Sequence, residues 1–105
     1  MQTQVSIHHH DYPSDLRDLV QSKLEELLRF CGNTVSMKAR LEKEADEHRV
    51  EIVATVPPGL VLVADARAEG VRGALDEALD RMARKLKRAR EKTTKERRRV
   101  ARGDD

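Results

Sequence analysis

The sequence predicts a single α+β domain of order βαβββα, a four-stranded sheet with two helices packed on one face. Two observations predict the layers: three consecutive runs alternate apolar and polar residues with period two, and two longer runs carry apolar residues every three or four positions. A third, the gathering of positive charge at the C-terminal end, predicts what the domain meets. At 105 residues the chain has room for one two-layer core and little more.

Taken in order, Gln4 to His9 alternate Val5 and Ile7 with Gln4, Ser6 and His8, which reads as a short half-buried strand. Pro13-Ser14-Asp15 supplies helix-start chemistry with Ser14 as the expected N-cap. Leu16, Leu19, Val20, Leu24, Leu27, Leu28 and Cys31 then recur at helical spacing, and Gly32-Asn33 should end that helix. From Val35 the period becomes two: Val35, Met37, Ala39 and Leu41 face one way, with Ser36, Lys38, Arg40 and Glu42 between them. The polar turn Glu44-Ala45-Asp46-Glu47 leads to Val50, Ile52, Ala54 and Val56, and Pro57-Pro58-Gly59 reverses the chain into a third run from Leu60 to Ala68. Those three strands form an antiparallel meander, and the first strand joins by a right-handed crossover through the first helix.

The last element is the longest. Val71, Leu75, Ala78, Leu79, Met82, Leu86 and Ala89 give a helical stripe that runs to about Lys92 and outreaches the strands. Asp76, Glu77 and Asp80 in its first half are read as complementing the helix dipole. The expected division is a folded domain over 1–92 and a basic C-terminal tail over 93–105, a frayed helical extension or a flexible, disordered segment, where the stripe ends.

Net charge is only +2, from 21 Lys and Arg against 19 Asp and Glu. Arg81 to Arg102 nevertheless holds 12 basic and 2 acidic residues, leaving 9 basic and 17 acidic ones elsewhere, so a segment of net +10 is joined to a body of net −8. A solvated helix face would mix its signs, as Glu25 and Glu26 do beside Lys23 and Arg29; this segment repels itself and calls for a polyanion. With one Tyr, one Phe and no Trp there is no base-stacking platform, so backbone charge and shape would carry nucleic-acid binding.

No constellation points to catalysis. His8-His9-His10 on a strand converges at most two imidazoles, short of the usual three or four metal ligands, and Cys31, the lone cysteine, closes an apolar stripe. Asp76 and Asp80 share a helix face, but no His, Ser or second acidic cluster completes a site. Gly70-Val71-Arg72-Gly73 lacks the third glycine and the Lys-Ser/Thr of a phosphate loop. No enzyme, metal, cofactor or small-molecule substrate is expected. Without a signal-like N-terminus or a run of about 18 apolar residues, the expected setting is cytoplasmic with no membrane partner.

Two segments carry a resemblance. The first is Leu16-Arg17-Asp18-Leu19-Val20-Gln21-Ser22-Lys23-Leu24-Glu25-Glu26-Leu27. The second is Ala64-Asp65-Ala66-Arg67-Ala68-Glu69-Gly70 with Ala74-Leu75-Asp76 and the run from Asp80 to Arg88. In order and spacing these are similar to the ribosome hibernation-promoting factors, also called ribosome-associated inhibitors or sigma-54 modulation proteins, in their short form. The resemblance implies a fold like that of double-stranded-RNA-binding domains. It also implies a site on the small ribosomal subunit, in the messenger RNA and A- and P-site transfer-RNA channel, where binding blocks translation in stress or stationary phase. It carries RNA binding onto Lys23 and onto Arg81, Arg84, Arg88, Arg90 and Lys92; Lys85, standing where Gln is common, adds charge to the same surface, and Lys87 completes the candidate set. The expected partners are the small subunit and its ribosomal RNA, the protein being a monomer off the ribosome. A generic double-stranded-RNA-binding module and a domain docking an acidic protein remain as alternatives.

Overall fold

The structure, a computed structural model, describes residues 2–7, 12–30, 36–57 and 59–103; the side chains of 2–4, 7, 30 and 92–103 fall outside the description. Six elements follow the expected order: β1 (Gln2–Ile7), α1 (Ser14–Phe30), β2 (Ser36–Glu44), β3 (Glu47–Val56), β4 (Leu60–Ala68) and α2 (Val71–Gly103). The sheet runs β1-β2-β3-β4, with β1 parallel to β2 and the other pairs antiparallel. The His8–His10 triplet, Cys31, Gly32-Asn33 and Val35 lie outside the described residues.

Period two fixes which face of the sheet is covered. Met37, Ala39 and Leu41 on β2 pair across to Ala54, Ile52 and Val50 on β3, and Ile52 and Val50 pair in turn with Ala64 and Ala66 on β4. All of these are buried, and Leu16, Val20, Leu24 and Leu28 of α1 with Ala74, Leu75, Ala78, Met82 and Leu86 of α2 close over them. Both helices therefore sit on one face. α2 lies over β3 and β4, and small residues are buried on both sides of this layer, Ala64 and Ala66 on the strand and Ala74 and Ala78 on the helix.

Three details differ from the sequence reading. The carbonyl of Pro13 accepts from the amides of Leu16 (3.0 Å) and Arg17 (3.4 Å), so the cap of α1 falls on Pro13 and Ser14 is its first helical residue. The β2–β3 ladder extends to Glu44↔Glu47 through Glu42↔Arg49 and Lys43↔His48, charged pairs that show no apolar alternation. On β4, Leu60, which the alternation put on the same face as Ala64 and Ala66, is exposed because it lies at the turn, beyond the helices' cover, while Val61 and Val63 stand on the open face as the alternation has them. α2 itself is one helix of 33 residues, continuing through 93–103. No helix is long and apolar enough to cross a membrane among the described residues.

Candidate nucleic-acid interface

β4 is an outer strand of the sheet, and α2 runs antiparallel beside it. Arg81 donates through Nη1 to the Asp65 carbonyl (2.6 Å), and the Lys85 ammonium donates to the Val63 carbonyl. The spacing explains the match: four helical residues advance about 6 Å, and two strand residues about 6.7 Å. One turn of α2 thus places successive cations over successive outward carbonyls of β4. A carbonyl is a dipole without net charge, so each seat fixes the cationic head and leaves its charge intact. The seats also cover open edge carbonyls that would otherwise template pairing with another strand.

Arg81 also donates to Glu77 (2.6 Å), and Arg84 pairs with Asp80 at 2.8 Å. Both acids stand four residues before their arginine, the favourable orientation on a helix. This corrects the dipole reading of Glu77 and Asp80. The first turn of α2 holds no acid, and the macrodipole fades beyond that turn; these carboxylates instead hold arginines. The signal was in the sequence, as acid-to-Arg spacing of four.

Arg81, Arg84, Lys85 and Arg88 line one groove of about 230 Å³ with Val63 and Asp65. Arg88 is exposed and, like Lys87, has no ion-pair partner among the described residues. The other candidates do not join this groove. By helical phase Lys87 and Arg90 lie on the flank of α2 turned away from β4. Lys23 lies 3.9 Å from Glu26 and lines a separate groove between the helices with Leu27, Leu79, Asp80 and Ala83. The Lys92 side chain is outside the description. The candidate set therefore divides into a β4 flank and an α1 flank. Sequence reasoning did not foresee the seats on β4, since they join residues 16 and 22 positions apart.

The open face of the sheet has a different character. Arg49 bonds Asp65 through Nε (3.3 Å) and Nη2 (3.1 Å) and Glu51 through Nη2 (3.3 Å). The hydrogen bond to Asp65 raises its already high pKa against an opposing desolvation, and the charges of Asp65, Glu51 and Glu42 add to the rise. Arg40 pairs with Glu42 and Arg67 with Glu44. The arginines of this face are matched by carboxylates, whereas the surplus positive charge of the sequence lies between Arg81 and Arg102 on α2. His48 is half-buried, 2.6 Å from the Tyr12 hydroxyl, which donates to Nδ1 when the ring proton sits on Nε2. Among the described residues no three His, Cys, Asp or Glu side chains gather to hold a metal.

The family model described as sigma 54 modulation protein / S30EA ribosomal protein matches residues 3–94. The chain belongs to this family. It is 30% identical over 92 residues to the ribosome hibernation promoting factor of Pseudomonas putida, covering 88% of this chain and 89% of that one. A ribosomal subunit interface protein from Coxiella burnetii shares the fold with a TM-score of 0.77 at 15% identity, over 87% of this chain and 99% of that one. The N-terminal domain of Thermus thermophilus Protein Y superposes with a TM-score of 0.69 at 24% identity, over 81% and 93%. The matched region ends close after Lys92, where the apolar stripe of α2 has run out.

Proposed function

We propose that this protein is a ribosome hibernation factor that binds small-subunit ribosomal RNA in the channel used by messenger RNA and by A- and P-site transfer RNA, and so holds translation off under stress. The observation that carries the reading is the groove on the β4 flank of α2, where Lys85 is fixed on a strand carbonyl with its charge intact and Arg88 pairs with no carboxylate among the described residues, beside Arg81 and Arg84, which are held by Glu77 and Asp80. Membership of the S30EA family supports the ribosomal partner, as does the name of the Pseudomonas putida relative.

The mechanism is occupancy. Phosphates of the subunit RNA replace the counterions of the groove, and the domain then fills space that a translating ribosome needs. The Arg88 fork, which pairs with no carboxylate among the described residues, suits phosphate oxygens bidentately, and the pre-set Lys85 ammonium reduces the side-chain ordering that binding requires. Changing Arg81, Lys85 and Arg88 together to Glu should abolish cosedimentation with small subunits at moderate salt, with circular dichroism confirming the fold. Unchanged cosedimentation would contradict the assignment. Toeprinting checks the channel: the wild type should block initiation complexes, whereas equal affinity for plain RNA duplex and for the subunit would favour a generic RNA-binding module.

A further inference from the structure

The open face of the sheet holds one stretch that its ion pairs do not cover. Val61 and Val63 on β4 are 57% and 43% exposed. Val63 pairs across to the half-buried Val53 and Val61 to Thr55, so three valines form one apolar patch on the β4 side of this face. Strand propensity alone does not require them, since threonine serves a strand as well and stands at position 55. Exposed apolar surface gathered in one place marks a contact.

The patch has a cation on either side. Val53 pairs in turn with Lys38 on β2, which is exposed and has no ion-pair partner among the described residues. On the other side the Lys85 ammonium is seated on the Val63 carbonyl, with Arg88 in the same groove. Neighbouring strands lie about 4.8 Å apart, so the row from Lys38 through Val53 to Val63 spans about 10 Å and ends where the groove begins.

The edge of β4 discriminates between a peptide strand and a polyanion. The carbonyls of Val63 and Asp65 accept from Lys85 and Arg81, which shows that they point away from β3. In an antiparallel pair the amide of such a residue points the same way as its carbonyl, and no strand lies beyond β4 among the described residues. An added peptide strand needs donors and acceptors along the edge, and the acceptors here are already taken. Donors are what the edge still offers: amides, an ammonium and a guanidinium. A phosphodiester supplies acceptors and no donor.

The neighbouring valines then select the state of the nucleic acid. In a duplex the faces of the bases are stacked on one another, whereas an unpaired base can lay a face on apolar side chains. We infer that the β4 edge and the open-face valines bind an unpaired stretch of RNA, its phosphates on Lys85, Arg88 and Lys38 and a base on Val61, Val63 and Val53. The inference rests on the RNA reading of the β4 groove and deepens it, making single-stranded RNA the ligand of that site. Valine here replaces the aromatic platform for which a chain with one Tyr and one Phe has no rings to spare.

The test uses the full chain with small ribosomal subunits, oligoadenylate, an abasic oligoribonucleotide of the same length and a blunt RNA duplex. Wild type should bind oligoadenylate about tenfold more tightly than the abasic strand, the order expected for covering two half-exposed valines. Val61→Ser with Val63→Ser should erase that difference and weaken subunit binding by a similar factor, leaving duplex binding and every salt slope unchanged. Val61→Thr with Val63→Thr keeps strand propensity and should shift the same way by a smaller factor, which decides the matter if the serine variant unfolds. Lys38→Gln should lower the salt slope on oligoadenylate by about 0.7, the loss of one single-strand phosphate contact. Equal binding of the abasic and base-bearing strands by wild type overturns the inference, as does a folded valine variant that binds oligoadenylate and subunits as wild type does. Self-association of the wild type that the valine changes abolish also overturns it, in favour of a second copy of the chain on this face. A valine-dependent preference for oligoadenylate without any binding to subunits would sink the ribosomal reading alone; subunit binding without that preference would sink the inference alone.

Discussion

Cations that look equivalent in the sequence have different duties. The Lys85 ammonium bonds the Val63 carbonyl on the edge of β4, whereas Arg88, one turn on in the same groove, has no ion-pair partner among the described residues. Lys85→Met keeps the aliphatic stem and removes the seated head, so it should cost about 1 kcal/mol of stability, the net worth of such a hydrogen bond. Arg88→Gln should leave the urea midpoint unchanged. On RNA the two should behave alike, each lowering the salt slope by about one. Paired urea melts and salt titrations check this, and a destabilised Arg88→Gln protein would contradict the distinction between seated and free cations. Sequence spacing placed Arg81, Lys85 and Arg88 on one helix face correctly, because helical phase is local. It was silent on the seats because those depend on which strand lies beneath.

Local pattern also explains which elements were legible. The buried faces of β2 and β3 were readable because Met37, Ala39, Leu41, Val50, Ile52, Ala54 and Val56 alternate with polar residues. On β4 the alternation of Leu60, Leu62, Ala64 and Ala66 with Val61, Val63, Asp65 and Arg67 marked the faces as they are found, Ala64 and Ala66 being buried and Val61 and Val63 exposed; Leu60 alone departs, because it lies at the turn. The inner end of the β2–β3 hairpin was read as a four-residue turn, but pairing continues to Glu44↔Glu47 and leaves Ala45-Asp46 alone as the loop. Two-residue hairpin loops favour residues that tolerate positive φ, and Ala45 sits at φ 53°. An alanine in this left-handed region carries a steric cost of about 1 kcal/mol. Ala45→Gly should therefore stabilise the protein by up to about 1 kcal/mol even though glycine is more flexible when unfolded. A rise of several degrees in the thermal midpoint is expected for a domain of this size, and a fall would show that the loop takes another form in solution.

At the scale of the molecule, stability and binding charge are located in different parts of the chain. All 18 buried apolar residues identified among the described positions lie between Leu16 and Leu86, and both helices share them with one sheet face. The +10 segment begins at Arg81, so it overlaps the core for little more than one turn and then leaves it. One continuous core implies cooperative unfolding, so loss of a central side chain should weaken helices and sheet together. Met82→Ala removes a fully buried side chain between α2 and the sheet, and large-to-small changes of this kind cost about 2–5 kcal/mol. A chain ended after Lys92 keeps all 18 of those buried residues and sheds self-repelling charge, so its urea midpoint should stay within about 0.5 kcal/mol of the full chain. Hydrogen exchange separates the two cases. Met82→Ala should speed exchange throughout α1, α2 and the central strands, whereas the shortened chain should match the full one at every shared amide up to the last turn before Lys92. Faster exchange across β3 and β4 in the shortened chain would mean that the extension packs on the body, and the separation of core from charged extension would then be lost.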